Sequence, residues 1–336
     1  MGCNEIRAGI VGVGTYVPER VLTNADMENM VATSDEWIRA RTGIRERRVA
    51  SAEEATSDLA LVASRRALED AGVSAGELDV IIVATNTPDM LFPATACLLQ
   101  DKLGAAKAGA FDLLAGCTGF IYGIAVGAQF ITAGTARTVL VVGAETLSRI
   151  VNWKDRSTCV LFGDGAGAVV LRRVPGDRGV ISSVLRSDGG GGHLLHMPAG
   201  GSRQPASVET ITANMHYVHM NGREVFKFAV RVMGEAADEV LHQAGMGRED
   251  IDFFIPHQAN IRIIEHAARK IGLPMERVAV NVDRYGNTST ASIPLALEEA
   301  LQRGKIADGD NVIMIGFGAG LTWGGLLVKW YDYKNR

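Results

Sequence analysis

The chain is short of the residues that build small secreted or fibrous scaffolds. Its four cysteines (Cys3, Cys97, Cys117 and Cys159) are spread through 336 residues with no zinc-like spacing, so no disulfide framework or zinc ribbon organises it. That usage fits a reducing compartment. Prolines number only nine and no short repeat is present, which excludes collagen-like and proline-rich chains. Charge of one sign is missing too: 34 basic against 38 acidic residues leave a net charge of −4, where a nucleic-acid binder is more often basic. The opening MGCNEIRAG has no basic region followed by an apolar run, and Ile6 stands where a myristoylation signal needs Ser or Thr. No nucleic-acid or membrane partner is expected, and a cytoplasmic protein is.

Hydrophobic residues are plentiful at 47%, and the 39 glycines make about 12% of the chain against a usual ~7%. A chain of this length suggests about two domains with a substantial core. One stretch, LLAGCTGFIYGIAVGAQFITAGTA (113–136), carries no charge, with Gly119, Gly123 and Gly127 at a four-residue spacing. Its length fits a bilayer. Its few leucines, its Gln129 and threonines, and the α/β pattern on either side point instead to a helix buried in a core, with the glycines allowing close approach.

Strand-like runs occur at 10–13, 80–84, 139–142, 168–171, 253–256, 312–315 and 326–328. A helix capped by Thr56 or Ser57 and closed at Gly72 lies between the first two. Alternation of strands and helices implies an α/β fold with parallel sheet. The chain also repeats itself: Ala71 and Ala244, Asp79 and Asp252, Val139 and Val312 are each 173 positions apart in similar blocks. Two duplicated halves are expected, 1–177 and 178–336, joined at VPGDRG. The glycine-rich loop 189–202 reads as mobile or moulded over a site.

Cys117 is the leading candidate nucleophile. It follows a strand-like run (109–113) and opens the uncharged helix, where free amides and the helix dipole favour a thiolate. His257 stands at the end of a strand in FFIPHQAN, the edge at which α/β sites form, and Asn287 lies in a turn before a helix. Cys, His and Asn together can supply a nucleophile and two groups that bind oxygen. Each alone is also compatible with a structural role. Gly12-x-Gly14 begins a dinucleotide fingerprint, but Val17 occupies the third glycine position. The pairs His193/His196 and His216/His219 lack an acidic third ligand in a defined motif, so no metal is expected.

The motifs SDEWIRARTGIRERR (34–48), DLLAGCTGF (112–120), DRSTCVLFGDGAGAVVL (155–171), NGREVFKFAV (221–230), PHQANIRII (256–264), RYGNTSTAS (284–292) and GFGAGLTWG (316–324) occur in one order along the chain. In that order the chain resembles the β-ketoacyl-acyl carrier protein synthase III family over nearly its whole length. The resemblance implies a thiolase-like fold of two duplicated α/β halves in five layers, a homodimer, and a ping-pong condensation that needs no cofactor. Cys117 would take the acyl group of a short acyl-CoA; His257 and Asn287 would stabilise the enolate formed when malonyl-acyl carrier protein loses carbon dioxide. The amides of Cys117 and Ala319 would form the oxyanion hole.

The same resemblance implies a coenzyme A site at Thr33, Trp37, Arg41, Arg156, Phe226 and Asn260, with Trp37 and Arg156 sandwiching the adenine. It implies carrier-protein contacts at Gln258, Ala259, Asn260, Ile261 and Arg262, extended by Lys227, Arg269 and Lys270. Leu147 and Met220 would wall the acyl pocket, closed by Phe92 reaching across the dimer, so that a short primer is expected. Departures occur at Ser157, Arg223 and Ala319, where some relatives carry glycine, asparagine and glycine. The competing expectations are a starter-unit ketosynthase or acyltransferase of polyketide or quinolone synthesis, a plant-type polyketide synthase, a dinucleotide oxidoreductase, a cysteine hydrolase and a carrier-binding protein without catalysis.

Overall fold

The computed structural model describes residues 7–334, so Cys3 and Ile6 lie outside the described residues. The first of two larger sheets holds β1 (Arg7–Tyr16), β2 (Val80–Ala84), β3 (Gly109–Leu113), β4 (Thr138–Glu145) and β5 (Gly165–Val174), in the order β1-β5-β4-β2-β3. The second holds β6 (Gly179–Ser187), β7 (Phe253–Pro256), β8 (Asn311–Gly318) and β9 (Thr322–Lys329), in the order β7-β8-β9-β6. All seven strand-like runs lie in these strands. β6 escaped the sequence pattern because its serines and half-exposed positions blur the alternation of an edge strand.

The sheets are mixed, which corrects the expectation of parallel sheet. β2 runs parallel to β3 and β4, and β7 parallel to β8, but the β4–β5, β5–β1, β8–β9 and β9–β6 pairs are antiparallel. Only three residues separate β8 from β9, too few for a parallel crossover. The pairing register repeats between sheets: Val80 faces Val139 in the first and Phe253 faces Val312 in the second. Both partners are displaced by the 173 positions seen in the sequence.

Helices fill three layers around the sheets. α1 (Asp35–Thr42) lies beside the second core cluster, while α2 (Thr56–Ala71) and α3 (Thr95–Leu103) cover one face of the first sheet. α4 (Gly119–Thr132) touches both sheets, α5 (Gly222–Ala244) covers the second sheet with α6 (Ile261–Ile271) packed on it, and α7 (Ser292–Gln302) joins α4 in the middle. The stack is helix, sheet, helix, sheet, helix. Because α4 is covered on both sides it is apolar all round, and Phe120, Ile121, Ile124 and Ile131 are buried, each worth about 1.5–3 kcal/mol. Its glycine stripe sits on Ala84, Val141 and Leu171 of the first sheet. No helix among the described residues is long and apolar enough to cross a membrane.

The N-cap of α2 is Ala55, one or two residues before the expected Thr56 or Ser57. The Asp58 carboxylate caps instead, accepting from the Ala55 N–H at 2.9 Å. The two hydroxyls are spent on other segments: Thr56 donates to the Thr87 carbonyl at 2.5 Å and Ser57 to Asp89 at 2.6 Å.

Gly12 and Gly14 serve close packing. A Cβ on Gly14 would lie 2.2 Å from the Ala67 nitrogen, and one on Gly12 would lie 2.4 Å from the Ala67 oxygen, so α2 rests directly on the backbone of β1. The start of a dinucleotide fingerprint is thus a strand–helix contact. Gly14→Ala should lower the unfolding free energy in urea by about 1–3 kcal/mol, as overpacking does. Gly76→Ala, where nothing lies within 4 Å, should stay within about 0.5 kcal/mol of the parent. Equal stability of the two variants would contradict this contact.

Candidate active site

β3 delivers the chain to Leu113 and α4 begins at Gly119, so Cys117 sits in the short turn ahead of the helix and does not open it. Gly116 in that turn has φ +55°, and a Cβ there would lie 2.6 Å from the nitrogen and oxygen of Ala319. The β8–β9 turn therefore presses against the cysteine turn, and the Thr322 hydroxyl fastens it by donating to the Ala115 carbonyl at 2.8 Å. Among the turn and loop contacts of the described residues, neither the Cys117 nor the Ala319 amide donates to a backbone carbonyl. Two free N–H groups beside a nucleophile can receive a developing oxyanion.

His257 follows β7, with its ring edge-on to Phe317 at 5.2 Å between centroids and 1% of its surface exposed. Its Nδ1 lies 2.7 Å from the Ser292 hydroxyl, at the first residue of α7. Ser292 Oγ also accepts the Gln258 N–H at 3.4 Å, and with its own hydrogen turned to Nδ1 the ring hydrogen falls on Nε2. Burial lowers the His257 pKa from 6.5 to about 3. Burial therefore favours the neutral imidazole, which with Nδ1 accepting can donate from Nε2.

Asn287 is held at both ends. Its N–H donates to Leu161 O at 2.8 Å and its carbonyl accepts from the Gly163 N–H at 3.0 Å, while the side-chain Oδ1 accepts from the Ser289 N–H at 2.9 Å. With Oδ1 committed, Nδ2 is the end available as a donor. Cys117, His257 and Asn287 line one narrow cavity of about 90 Å³ with Phe317 and Phe226. Cys117 also lines a wider cavity of about 450 Å³ with Asn86, Leu147, Ser289 and Ala319.

Burial pushes the Cys117 thiol up from 9.0 to about 12. The expected preference for thiolate is thus overturned in the free site. A rise of that size is roughly 4 kcal/mol, against about 0.3–1 kcal/mol for a helix dipole, and desolvation wins.

The chain matches the family model described as 3-oxoacyl-[acyl-carrier-protein (ACP)] synthase III over residues 111–189, and its C-terminal counterpart over residues 241–330. It is 58% identical to β-ketoacyl-[acyl-carrier-protein] synthase III of Caldanaerobacter subterraneus subsp. tengcongensis, over 98% of this chain and 99% of that one. The chain belongs to the β-ketoacyl-acyl carrier protein synthase III family. It is an acyltransferase-type condensing enzyme, one that initiates fatty acid synthesis. The solved synthase III of Thermus thermophilus superposes with a TM-score of 0.90 at 53% identity, covering 96% of this chain and 99% of that one. The priming β-ketosynthase of the R1128 polyketide pathway superposes at 0.89 with 37% identity, covering 98% of both. The thiolase-like fold follows.

The other expected site residues of the enzyme fall into distinct places. The Arg156 guanidinium lies 4.8 Å over the Trp37 ring and that of Arg41 lies 5.5 Å from it, so the two expected faces of an adenine sandwich stack on each other in the free chain. Thr33 carries a buried hydroxyl with no hydrogen-bond partner among the described residues. Asn260 caps α6 and donates to Arg41 O at 2.9 Å, beside Phe226 and Met220 at the narrow cavity. Leu147 walls the wider one, whereas Phe92 lies outside both, on the surface and 84% exposed.

Gln258 is a correction. It is 1% exposed, with Nε2 donating to Pro256 O and Ala279 O and Oε1 accepting from the Asn281 N–H, so it braces the loop after β7 and presents nothing to a carrier protein. Lys270 is half-buried against Gly234 of α5, with Nζ on Arg231 O. Ala259 and Ile261 are half-buried. Arg262, Arg269 and Lys227 remain exposed, Arg262 over the Phe226 ring and Lys227 paired with Glu224. The loop 189–202 is moulded over the site: Leu195, His196 and Met197 wall the wider cavity. No group of three or more His, Cys, Asp or Glu side chains converges among the described residues.

Sequence reasoning passed over Ser289 and Ser292, although both stand in the quoted RYGNTSTAS. The spacing of Asn287 to Ser289 is that of an Asx turn, a signal that would have found the first. It also passed over Glu145, a carboxylate closing an otherwise apolar strand, and Arg47, wholly buried with its guanidinium donating to Leu22 O and Val160 O beside the Asn287 segment.

The depressed His257 pKa has a consequence for stability. The unfolded chain protonates this histidine below pH 6.5 while the fold excludes the proton, so its contribution is full above 6.5 and is lost as pH falls toward about 3. Urea unfolding at pH 7.5, 6 and 5 should show a steeper fall for the parent than for His257→Gln, by on the order of 1 kcal/mol per pH unit. Parallel slopes would contradict a buried neutral imidazole.

Proposed function

We propose that the enzyme condenses a short acyl group from acyl-CoA, acetyl in the first instance, with malonyl-acyl carrier protein by way of an acyl-Cys117 intermediate. The observation that carries this reading is one cavity holding a thiol, a neutral imidazole oriented to donate from Nε2, and an amide oriented to donate from Nδ2. Cys117 Sγ attacks the thioester carbonyl, the amides of Cys117 and Ala319 receive the oxyanion, and coenzyme A leaves. The malonyl thioester then binds with its carbonyl oxygen between His257 and Asn287. Loss of carbon dioxide places charge on that oxygen, where two preorganised donors stabilise the enolate by hydrogen bonds without protonating it. The enolate carbon attacks the acyl carbonyl on Cys117, the C–S bond to Cys117 breaks to return the sulfur, and the β-ketoacyl product leaves on the carrier protein.

A neutral histidine with Nδ1 already engaged is poorly suited to the base role that a cysteine hydrolase requires. Both substrates arrive activated as thioesters, so the chemistry calls for no resident cofactor. Trp37, Arg41 and Arg156 would open to hold the adenine of coenzyme A, with Thr33, Phe226 and Asn260 further along its path. Arg262, Arg269 and Lys227 would meet the acidic carrier protein through local field despite the net charge of −4. Exposed Met90, Leu91 and Phe92, next to the edge strand β3 with Phe111, would be covered by a second copy whose Phe92 shortens the acyl pocket beyond Leu147. The duplicated halves, 1–177 and 178–336, would then contribute the nucleophile and the donor pair respectively, in a cytoplasmic enzyme.

Intact-protein mass spectrometry after mixing with acetyl-, propionyl-, isobutyryl- or octanoyl-CoA tests the first stage. One acyl group per chain is expected from the short thioesters, little from octanoyl, and none in Cys117→Ala. An acyl adduct that survives in Cys117→Ala, or none with any thioester, would overturn the assignment.

A further inference from the structure

The turn that carries Asn287 has an uncommon shape. Ser289 has φ +49°, in the left-handed region that a residue with a side chain adopts at a cost and keeps where its surroundings hold it. In that shape the Ser289 N–H reaches Asn287 Oδ1 at 2.9 Å, leaving Nδ2 as the free end of the carboxamide. Two side chains of the turn are tied to the first sheet. Ser289 Oγ accepts from Asn86 Nδ2 at 3.0 Å, and Thr290 Oγ1 lies 3.0 Å from both the Ala84 carbonyl and Glu145 Oε1. Asn86 Nδ2 also donates to Glu145 Oε1 at 2.5 Å, so one carboxyl at the end of β4 stands behind both contacts.

The hydrogens around that carboxyl can be counted. Oε2 accepts from the Asn86 N–H at 3.1 Å and the Thr87 hydroxyl at 2.8 Å, with the Thr85 hydroxyl at 3.4 Å. On the Oε1 side, a carbonyl can only accept, so the single hydroxyl hydrogen of Thr290 goes to Ala84 O. The 3.0 Å contact between Thr290 Oγ1 and Glu145 Oε1 then has a hydrogen only when the carboxyl supplies it. Glu145 is wholly buried, and Thr85, Asn86, Thr87 and Thr290 are all neutral, so an ionised carboxylate would be a buried charge held by neutral groups alone. Burial pushes its pKa up, in the same direction. A proton on Oε1 completes a run of hydrogen bonds from Glu145 through Thr290 to Ala84 O.

We propose that Glu145, carrying its proton on Oε1, is a positioning residue for the decarboxylation: with Asn86 it clamps Ser289 and Thr290, and through them keeps Asn287 Nδ2 turned toward the malonyl thioester. The inference rests on the proposed role of Asn287 as a donor to the thioester oxygen. Glu145 itself touches no substrate and gives up no proton in the reaction. It ties the turn before α7 to the ends of β2 and β4, so that the donor stands at a fixed place relative to the first sheet. Such placement matters because a shift of about 1 Å in a reacting group can cost on the order of 100-fold in rate.

Glu145→Gln keeps the size of the side chain, but the group replacing Oε1 can either accept from Asn86 or donate to Thr290 and not both, so one arm of the clamp is lost. In enzyme already acylated on Cys117, release of carbon dioxide from malonyl-acyl carrier protein should fall about tenfold in kcat with KM unchanged. In an Asn287→Ala background the same substitution should add less than about twofold, because its effect runs through Asn287. An unchanged rate in Glu145→Gln, or an equal loss in both backgrounds, would overturn the proposal. If Glu145→Gln does not fold, Asn86→Ala, which cuts the link to Ser289, goes through the same cycle with the same expectation. The proton is read by infrared difference between the parent and either variant: a protonated-carboxyl C=O band that shifts in deuterium oxide is expected, and carboxylate bands in its place overturn the proposal. An Asn287→Ala enzyme that decarboxylates at the parental rate would sink the enolate reading alone. The clamp is then decided by nuclear magnetic resonance of asparagine-labelled enzyme. The Asn287 side-chain amide signals, assigned by their loss in Asn287→Ala, should move or broaden when the clamp is cut, and signals that stay in place would overturn it.

Discussion

The 2.7 Å hydrogen bond between Ser292 and His257 is the contact on which the chemistry of the site depends. With the Ser292 hydroxyl donating to Nδ1 the ring hydrogen sits on Nε2, and burial favours the neutral ring, so that a residue type most often used as an acid or base is set up to act as a dipole. The bond joins the end of β7 to the start of α7. Because α7 shares the middle layer with α4, His257, Asn287 and Cys117 are positioned by the same packing between the two sheets. A shift of α7 would disturb the tautomer of His257 and the seat of Asn287 together.

Charge is handled sparingly in this interior. The cavity walls are mostly apolar, the thiol is held protonated by desolvation, and the nearest carboxyl is surrounded by neutral donors. Such a site favours transition states in which charge is relocated over those in which it is created. The amides of Cys117 and Ala319 and the donors that His257 and Asn287 would offer stand in place in the free fold, and in a low-dielectric site each would be worth more than in water.

Much of this was legible in the chain. The order of Cys117, His257 and Asn287, the apolar helix after the cysteine and the constant displacement of 173 residues all reappear in space, the last even in the strand register. What was not legible depended on partners distant in sequence. Gln258 looks like a surface residue of a polar motif until Pro256, Ala279 and Asn281 take all its hydrogen bonds. Thr56 and Ser57 look like caps until Thr87 and Asp89 claim them. The mixed sheets follow from hairpins that a pattern of alternating elements does not reveal. The acidity of Cys117 was misjudged because a helix dipole can be read from local sequence, whereas burial cannot.

The division of labour between thiol and donor pair is tested most directly by loading the chain with an acyl group and adding malonyl-acyl carrier protein labelled at its free carboxyl. Release of labelled carbon dioxide is then timed by rapid quench for the parent, His257→Ala and Asn287→Ala. Both variants should still carry the acyl group on Cys117 yet release carbon dioxide at least about 100-fold more slowly, the usual cost of losing one oxyanion donor. A variant that condenses at the parental rate, or one that fails to acylate while still decarboxylating, would contradict the account.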